Sequence, residues 1–173
     1  MSKVFKRLWK NEDGNGTIEF CLIFPVLIYF FGLGAEIGIY QLQQVMFERG
    51  VDRVVRDLRL GDEDMQDPNA LIAAICDETL VVAGCDNDLN LDMEVVAVAD
   101  YRMSDEALTC VNRTETARPV VNMVPGAGNE VMLMRFCLLI DPVFASWGLG
   151  AILPRVEGGG IPLYAHTFYV NEP

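Results

Sequence analysis

Sixteen consecutive residues, Phe20 to Ala35, carry no charge (FCLIFPVLIYFFGLGA). A helix needs about 17–25 predominantly apolar residues to cross a bilayer, so sixteen falls just short. Glu36 interrupts the run, and Ile37-Gly38-Ile39-Tyr40 then extend it to 21 residues, which is long enough. The run is apolar around its whole circumference, which favours lipid over the one-sided burial of a soluble core helix. A cleaved secretory signal competes, since Gly32-Leu33-Gly34-Ala35 supplies small residues at the end of the apolar core. Glu19, between the basic start and the core, is foreign to such a signal. A lipoprotein signal fails because Glu19 and Phe20, not small residues, precede Cys21. One transmembrane helix over about 20–40 is the expectation. Its orientation does not follow from flanking cations. Lys3, Lys6, Arg7 and Lys10 on one side balance Arg49, Arg53, Arg56 and Arg59 on the other.

Composition narrows the function classes. Lys plus Arg is 13 and Asp plus Glu 25, a net charge of −12. Such a chain lacks the basic face that nucleic-acid backbones require. There is a single histidine, His166, so triads and multi-histidine metal sites are hard to build. It falls in a strand pattern between Ala165 and Thr167 and reads as a surface or packed residue. No catalytic residue, metal ligand or cofactor site is expected.

Glu19 stands where an apolar helix begins. At mid-membrane a carboxylate costs something like 2.5–3.5 kcal/mol, and less at the border. The plain reading is an acidic residue favoured by the N-terminal helix dipole. The sharper reading depends on its neighbours, with Gly14 five residues before it and Phe20 directly after.

The string Gly14-Asn15-Gly16-Thr17-Ile18-Glu19-Phe20, followed by an apolar helix containing Pro25, resembles the type IV prepilin class. It is most similar to the TadE-like minor pseudopilins of tight-adherence (Flp) pilus systems. The resemblance implies a basic leader, residues 1–14, removed by a prepilin peptidase between Gly14 and Asn15. Glu19 becomes the fifth mature residue, with aromatic Phe20 next. A cut after Gly16 would make Glu19 the third, which does not match. The ending Val170-Asn171-Glu172-Pro173 also looks like the family's, whereas residues 61–125 match only in general layout. The implied partners are the prepilin peptidase, other pilin or pseudopilin subunits and an inner-membrane assembly platform. Physical chemistry makes sense of the pattern. A new ammonium on Asn15 in apolar surroundings needs a counter-charge, which Glu19 of the same or a neighbouring subunit supplies. Pro25 removes an amide donor and clashes with the carbonyl of Cys21, so a kink near 21–25 is expected. Gly32, Gly34 and Gly38 either let another helix approach closely or are ordinary membrane-helix glycines. Glu36 has no assigned role, either facing a polar partner or lying at the membrane surface.

Beyond Tyr40 the helical pattern turns amphipathic. Phe47, Val51, Val54, Val55 and Leu58 form one apolar stripe. Arg49, Arg53 and Arg56 share another face, which reads as a solvated face or a dock for acidic groups. One stem helix from about 17 to 60 is expected, with Gly61 as its stop. Asp67-Pro68 is an N-cap and first turn for a second helix, about 68–80. Leu89 to Val95 alternates apolar and polar as a strand does. Val131–Ile140 and Leu163–Val170 are further strands, and 142–162, rich in Gly and Pro, is a long loop with a short helix near 143–151. The expected fold class is α+β: a long transmembrane and stem helix (15–60), then a body (61–173) of one short helix and a small antiparallel sheet, a pilin-like layout.

Four cysteines lie in the body and Cys21 in the span. Four allow three pairings. Cys76 and Cys85 are near in sequence, which favours Cys76–Cys85 with Cys110–Cys137; four buried free thiols are the alternative. Disulfides need an oxidising compartment, which places the body in the periplasm and the N-terminus in the cytoplasm of a single-pass inner-membrane protein. Zinc is disfavoured by the lack of a close cysteine pair. The alternation Asp86, Asp88, Asn90, Asp92 lacks the Gly and Glu of a calcium loop and fits a strand edge better. Asn112-Arg113-Thr114 matches a glycosylation acceptor as a short motif. The expected function is a minor pseudopilin that assists assembly of an adhesive pilus and lies in the filament, at its tip or beside it. The alternative is an uncleaved, membrane-anchored periplasmic binding or assembly factor.

Overall fold

The computed structural model describes residues 15–60, 67–96, 108–115, 121–123 and 126–170. Gly14, Gly61, Pro125 and residues 171–173, each used in the sequence reading, lie outside them. Helix α1 runs uninterrupted over Asn15–Arg59, 45 residues with Pro25 inside, about 68 Å at 1.5 Å per residue. It is followed by α2 (Pro68–Glu78), a single turn α3 (Cys85–Asp88) and strands β1 (Leu89–Val96), β2 (Asn122–Met123) and β3 (Val131–Ile140). A further turn α4 (Leu149–Ile152) and strand β4 (Ile161–Val170) follow among the described residues. The layout is α+β, as the sequence pattern requires.

Only the upper part of α1 belongs to the body. Phe47, Val51, Val54 and Val55 are at most 4% exposed, and Leu58 packs beside them. They meet Leu71, Ile72 and Ile75 of α2 and one face of the sheet. At the crossing of α1 and α2, Gly50 leaves no room for a side chain: a Cβ there would lie 2.8 Å from Thr79 Oγ1 and 3.2 Å from the Ile75 carbonyl. Asp67 caps α2, its side chain accepting from the Asn69 amide at 3.2 Å. The helix ends two residues earlier than the apolar pattern predicts. Thr79 takes the C-cap, donating its hydroxyl to the Ile75 carbonyl at 2.7 Å, and Leu80 stands 82% exposed instead of packing. A hydroxyl bonding back to the preceding turn competes with helix continuation.

The sheet order is β2-β1-β3-β4. β1 and β3 are antiparallel with Met93 opposite Met134, and β3 and β4 are antiparallel with Met134 opposite Thr167. β2 pairs in parallel with β1 through two residues; so short a run has no readable period, and the sequence pattern does not reveal it. β4 starts at Ile161, two residues before the expected Leu163. Pro162 sits opposite Leu139 near the strand's first residue, a position where the missing donor is tolerated. The inward residues of the three long strands, among them Leu91, Met93, Met134, Phe136 and Leu163, pack on α1 and α2. On the opposite face Cys110, Val111, Cys137 and Leu139 form a second small core. This explains why β3 reads as a nearly continuous apolar run: both of its faces are covered.

Two cross-links hold the body. Cys76 is joined to Cys85 and Cys110 to Cys137, with Cα separations of 5.5 and 5.4 Å. Cys21 is free and exposed on α1. Two members of the acidic alternation, Asp88 at the end of α3 and Asp92 in β1, pair with arginines. Arg113 donates to both oxygens of Asp88 at 2.8 and 2.7 Å and to Asp141 at 2.7 Å. The Asp88 hydrogen bond does most to hold the Arg113 proton more firmly than usual, against the opposing effect of burial. Arg135 bonds Asp92 across β1 and β3, and the Asn90 amide donates to the Thr109 carbonyl at 2.6 Å. His166 is exposed on β4, opposite Arg135.

Candidate functional site

The lower half of α1 carries the residues that the prepilin resemblance singles out. Glu19 and Phe20 are exposed, Phe20 at 61%, and Phe20 stacks on Phe24 with ring centroids 5.1 Å apart. Asn15 and Glu19 lie four positions apart on the same helix, about one turn. Leu22, Phe30 and Phe31 are 64–79% exposed. By length and composition this helix is able to cross a membrane. Neither Glu19 nor Pro25 contacts the body in any hydrogen bond or ring contact among the described residues.

At and above the upper turns of this segment the connection between β3 and β4 reaches down to the stem. Glu36, the charge that breaks the apolar run, is 3% exposed. Its Oε1 accepts from the Phe144 amide at 2.9 Å and its Oε2 from the Leu149 amide at 2.7 Å. Both amides belong to the long connection between β3 and β4, 108 and 113 residues away in sequence. Bonds from backbone N–H to a carboxylate are charge-assisted and offset part of the cost of burying it. Gly148 adopts φ +68°, and a Cβ there would collide with the Glu36 carboxylate. Glycine is thus required twice, for its backbone angle and for the approach. Of the two roles open to Glu36 in the sequence, the structure gives it the polar partner, and that partner is main chain.

One turn below Glu36, the same connection lays two aromatic rings on the stem. Phe144 and Trp147 stack with centroids 4.0 Å apart. Trp147 meets Tyr29 at 5.7 Å and covers Gly32, whose added Cβ would lie 2.8 Å from the indole. Gly32 therefore receives an indole of its own chain in place of the neighbouring helix its size invites. Gly34 and Gly38 have nothing within 4 Å of a built Cβ, and their small surfaces stay open. Arg155 Nη2 closes the back of the connection, donating to the Ala145 and Gly150 carbonyls at 2.6 and 2.8 Å. Sequence reasoning places only a short helix here. A charge inside an apolar run was the available signal that a distant donor exists, but nothing in the chain says which one. Among the described residues no group of three or more His, Cys, Asp or Glu is placed to hold a metal.

Comparison with protein-family models, with curated proteins and with solved structures finds nothing that matches this chain.

Proposed function

We propose that the chain is a TadE-like minor pseudopilin, processed by a prepilin peptidase between Gly14 and Asn15 and required for assembly of an adhesive pilus of the tight-adherence type. One observation carries the reading: the stem from Phe20 to Ile28, below the Trp147 contact, is apolar and exposed, with Glu19 at its lower end, one turn from Asn15. A bare apolar helix needs lipid while the subunit waits in the membrane and needs neighbouring helices once it leaves. In this reading the chain crosses the inner membrane once, N-terminus inside and body in the periplasm, where Cys76–Cys85 and Cys110–Cys137 form. Cleavage leaves an ammonium on Asn15. Glu19 of the same subunit or of a neighbour neutralises it, and because an unpaired charge among apolar helices is costly, that contact selects one axial register. The partners are the peptidase, other pilin or pseudopilin subunits and the inner-membrane assembly platform. The protein acts as a structural subunit or assembly aid without catalysis.

N-terminal sequencing of the protein extracted from membranes tests this directly. A chain starting at Asn15 supports the pseudopilin, while an intact leader supports a fixed periplasmic anchor and ends this reading. Glu19→Ala is expected to insert normally and to abolish piliation; unchanged piliation removes the role given to Glu19.

A further inference from the structure

We propose that the connection between β3 and β4, residues 142–153, is a second membrane contact: an aromatic wedge that sits in the acyl–headgroup boundary of the leaflet facing the body and fixes the depth of the stem. The proposal rests on the membrane-crossing part of the reading above and is independent of cleavage and filament assembly.

The argument begins with position along the helix. Trp147 touches the stem at Tyr29 and Gly32. These lie seven and four residues below Glu36, about 10 and 6 Å along the axis. Both belong to the uncharged run Phe20–Ala35. If that run is in lipid, the wedge is at the level of its upper turns and cannot be wholly in water. Composition agrees. Val143 is 56% and Ile152 68% exposed, and Phe144 and Trp147 are partly exposed between them. A surface connection in water is ordinarily polar, so apolar side chains presented together, continuous with the bare helix, indicate a contact surface. Tryptophan is the side chain favoured at the membrane interface, with an apolar body and one polar tip. Arg155, exposed and anchored to two carbonyls of the wedge, places a cation where lipid phosphates lie. The same geometry accounts for Glu36. At this depth water is scarce, and its carboxylate is satisfied by the Phe144 and Leu149 amides, which ties the wedge to the stem. With that charge enclosed, the apolar surface continues from Phe20 to Tyr40.

The test uses the full chain with Trp9→Phe, leaving Trp147 as the single tryptophan, in phosphatidylcholine–phosphatidylglycerol vesicles. Lipids brominated high on the acyl chain are expected to roughly halve Trp147 emission, more than lipids brominated near the bilayer centre, while aqueous iodide leaves it almost unchanged. Val143→Asp with Ile152→Asp alters two exposed positions and is expected to make Trp147 accessible to iodide while the chain still resists carbonate extraction. Two results overturn the proposal in a chain that stays in the membrane. One is strong iodide quenching without bromolipid quenching. The other is protection from both quenchers that disappears on dilution of protein in lipid, the sign of a second copy covering the wedge. Release of the unsubstituted chain by carbonate is a different failure, that of the membrane-crossing helix itself, and it overturns both.

Discussion

The two halves of α1 are one continuous helix in two environments. From Phe20 to Phe31 the large apolar side chains are 43–79% exposed, whereas Phe47 and Val51 are at most 1% exposed. Both halves are apolar, so hydrophobicity alone does not distinguish them. The difference lies in distribution. The lower half is apolar on every side and this body leaves it exposed; the upper half confines its apolar residues to a stripe, which a sheet and one helix cover. A long helix can therefore be continuous in backbone and still divide into a part packed within the body and a part that the body leaves exposed.

Truncations at matched aromatic positions should show the largest contrast. Phe47→Ala removes a fully buried ring from the body core and is expected to cost about 3–5 kcal/mol. Phe31→Ala, at a position 79% exposed, should change the stability of the detergent-solubilised monomer by less than about 0.5 kcal/mol. Denaturant unfolding followed by circular dichroism measures both. Equal losses would mean that the lower stem packs inside the monomer, and the division proposed above would be wrong.

The cross-links sharpen the comparison within the body. Closing 27 residues constrains the unfolded chain more than closing 9. On the chain-entropy account, paired Cys→Ser replacement of Cys110 and Cys137 should cost about 3.5 kcal/mol and that of Cys76 and Cys85 about 2.5 kcal/mol. Both changes should leave the carbonate resistance of the lower stem intact. Loss of membrane retention in either variant would couple two regions that the packing keeps apart.

Glycine offers a contrast of opposite sign along one helix. Gly50→Ala forces a Cβ against Thr79 and the Ile75 carbonyl and should destabilise by about 1–3 kcal/mol. Gly34→Ala meets nothing within 4 Å and should stabilise by up to about 1 kcal/mol through helix propensity. Thermal unfolding of the two variants settles the signs. A stabilising Gly50→Ala would show that α2 shifts easily on α1.

These contrasts also mark what could be read from the chain. The stripe Phe47–Leu58, the cap at Asp67 and the strands β1 and β3 were legible because each is a local period or a local hydrogen bond. Leu80 misled because the Thr79 hydroxyl stops the helix against the apolar period. Gly50 was silent because its neighbours in space, Ile75 and Thr79, are more than twenty positions away. The partners of Glu36 lie farther still. Glu19 is the opposite case. The signal was local and specific in pattern, but the ammonium proposed to answer it arises only after a covalent cut.

The smallest expected effect lies where stem and body meet at the surface. Arg53 Nη1 donates to Glu78 Oε2 at 2.5 Å, linking α1 to α2, with the two side chains 50% and 42% exposed. Water screens such a pair, and ordering two long side chains offsets much of the attraction. A double-mutant cycle with Arg53→Ala and Glu78→Ala should give a coupling of about 0.2–1 kcal/mol, weakening as ionic strength rises. The packing of Phe47 and Val51 beside it involves no charge and should not weaken with salt. If the coupling exceeded about 2 kcal/mol and resisted salt, the arginine face would be acting as part of the body interface, and the contact between α1 and α2 would be electrostatic as well as apolar.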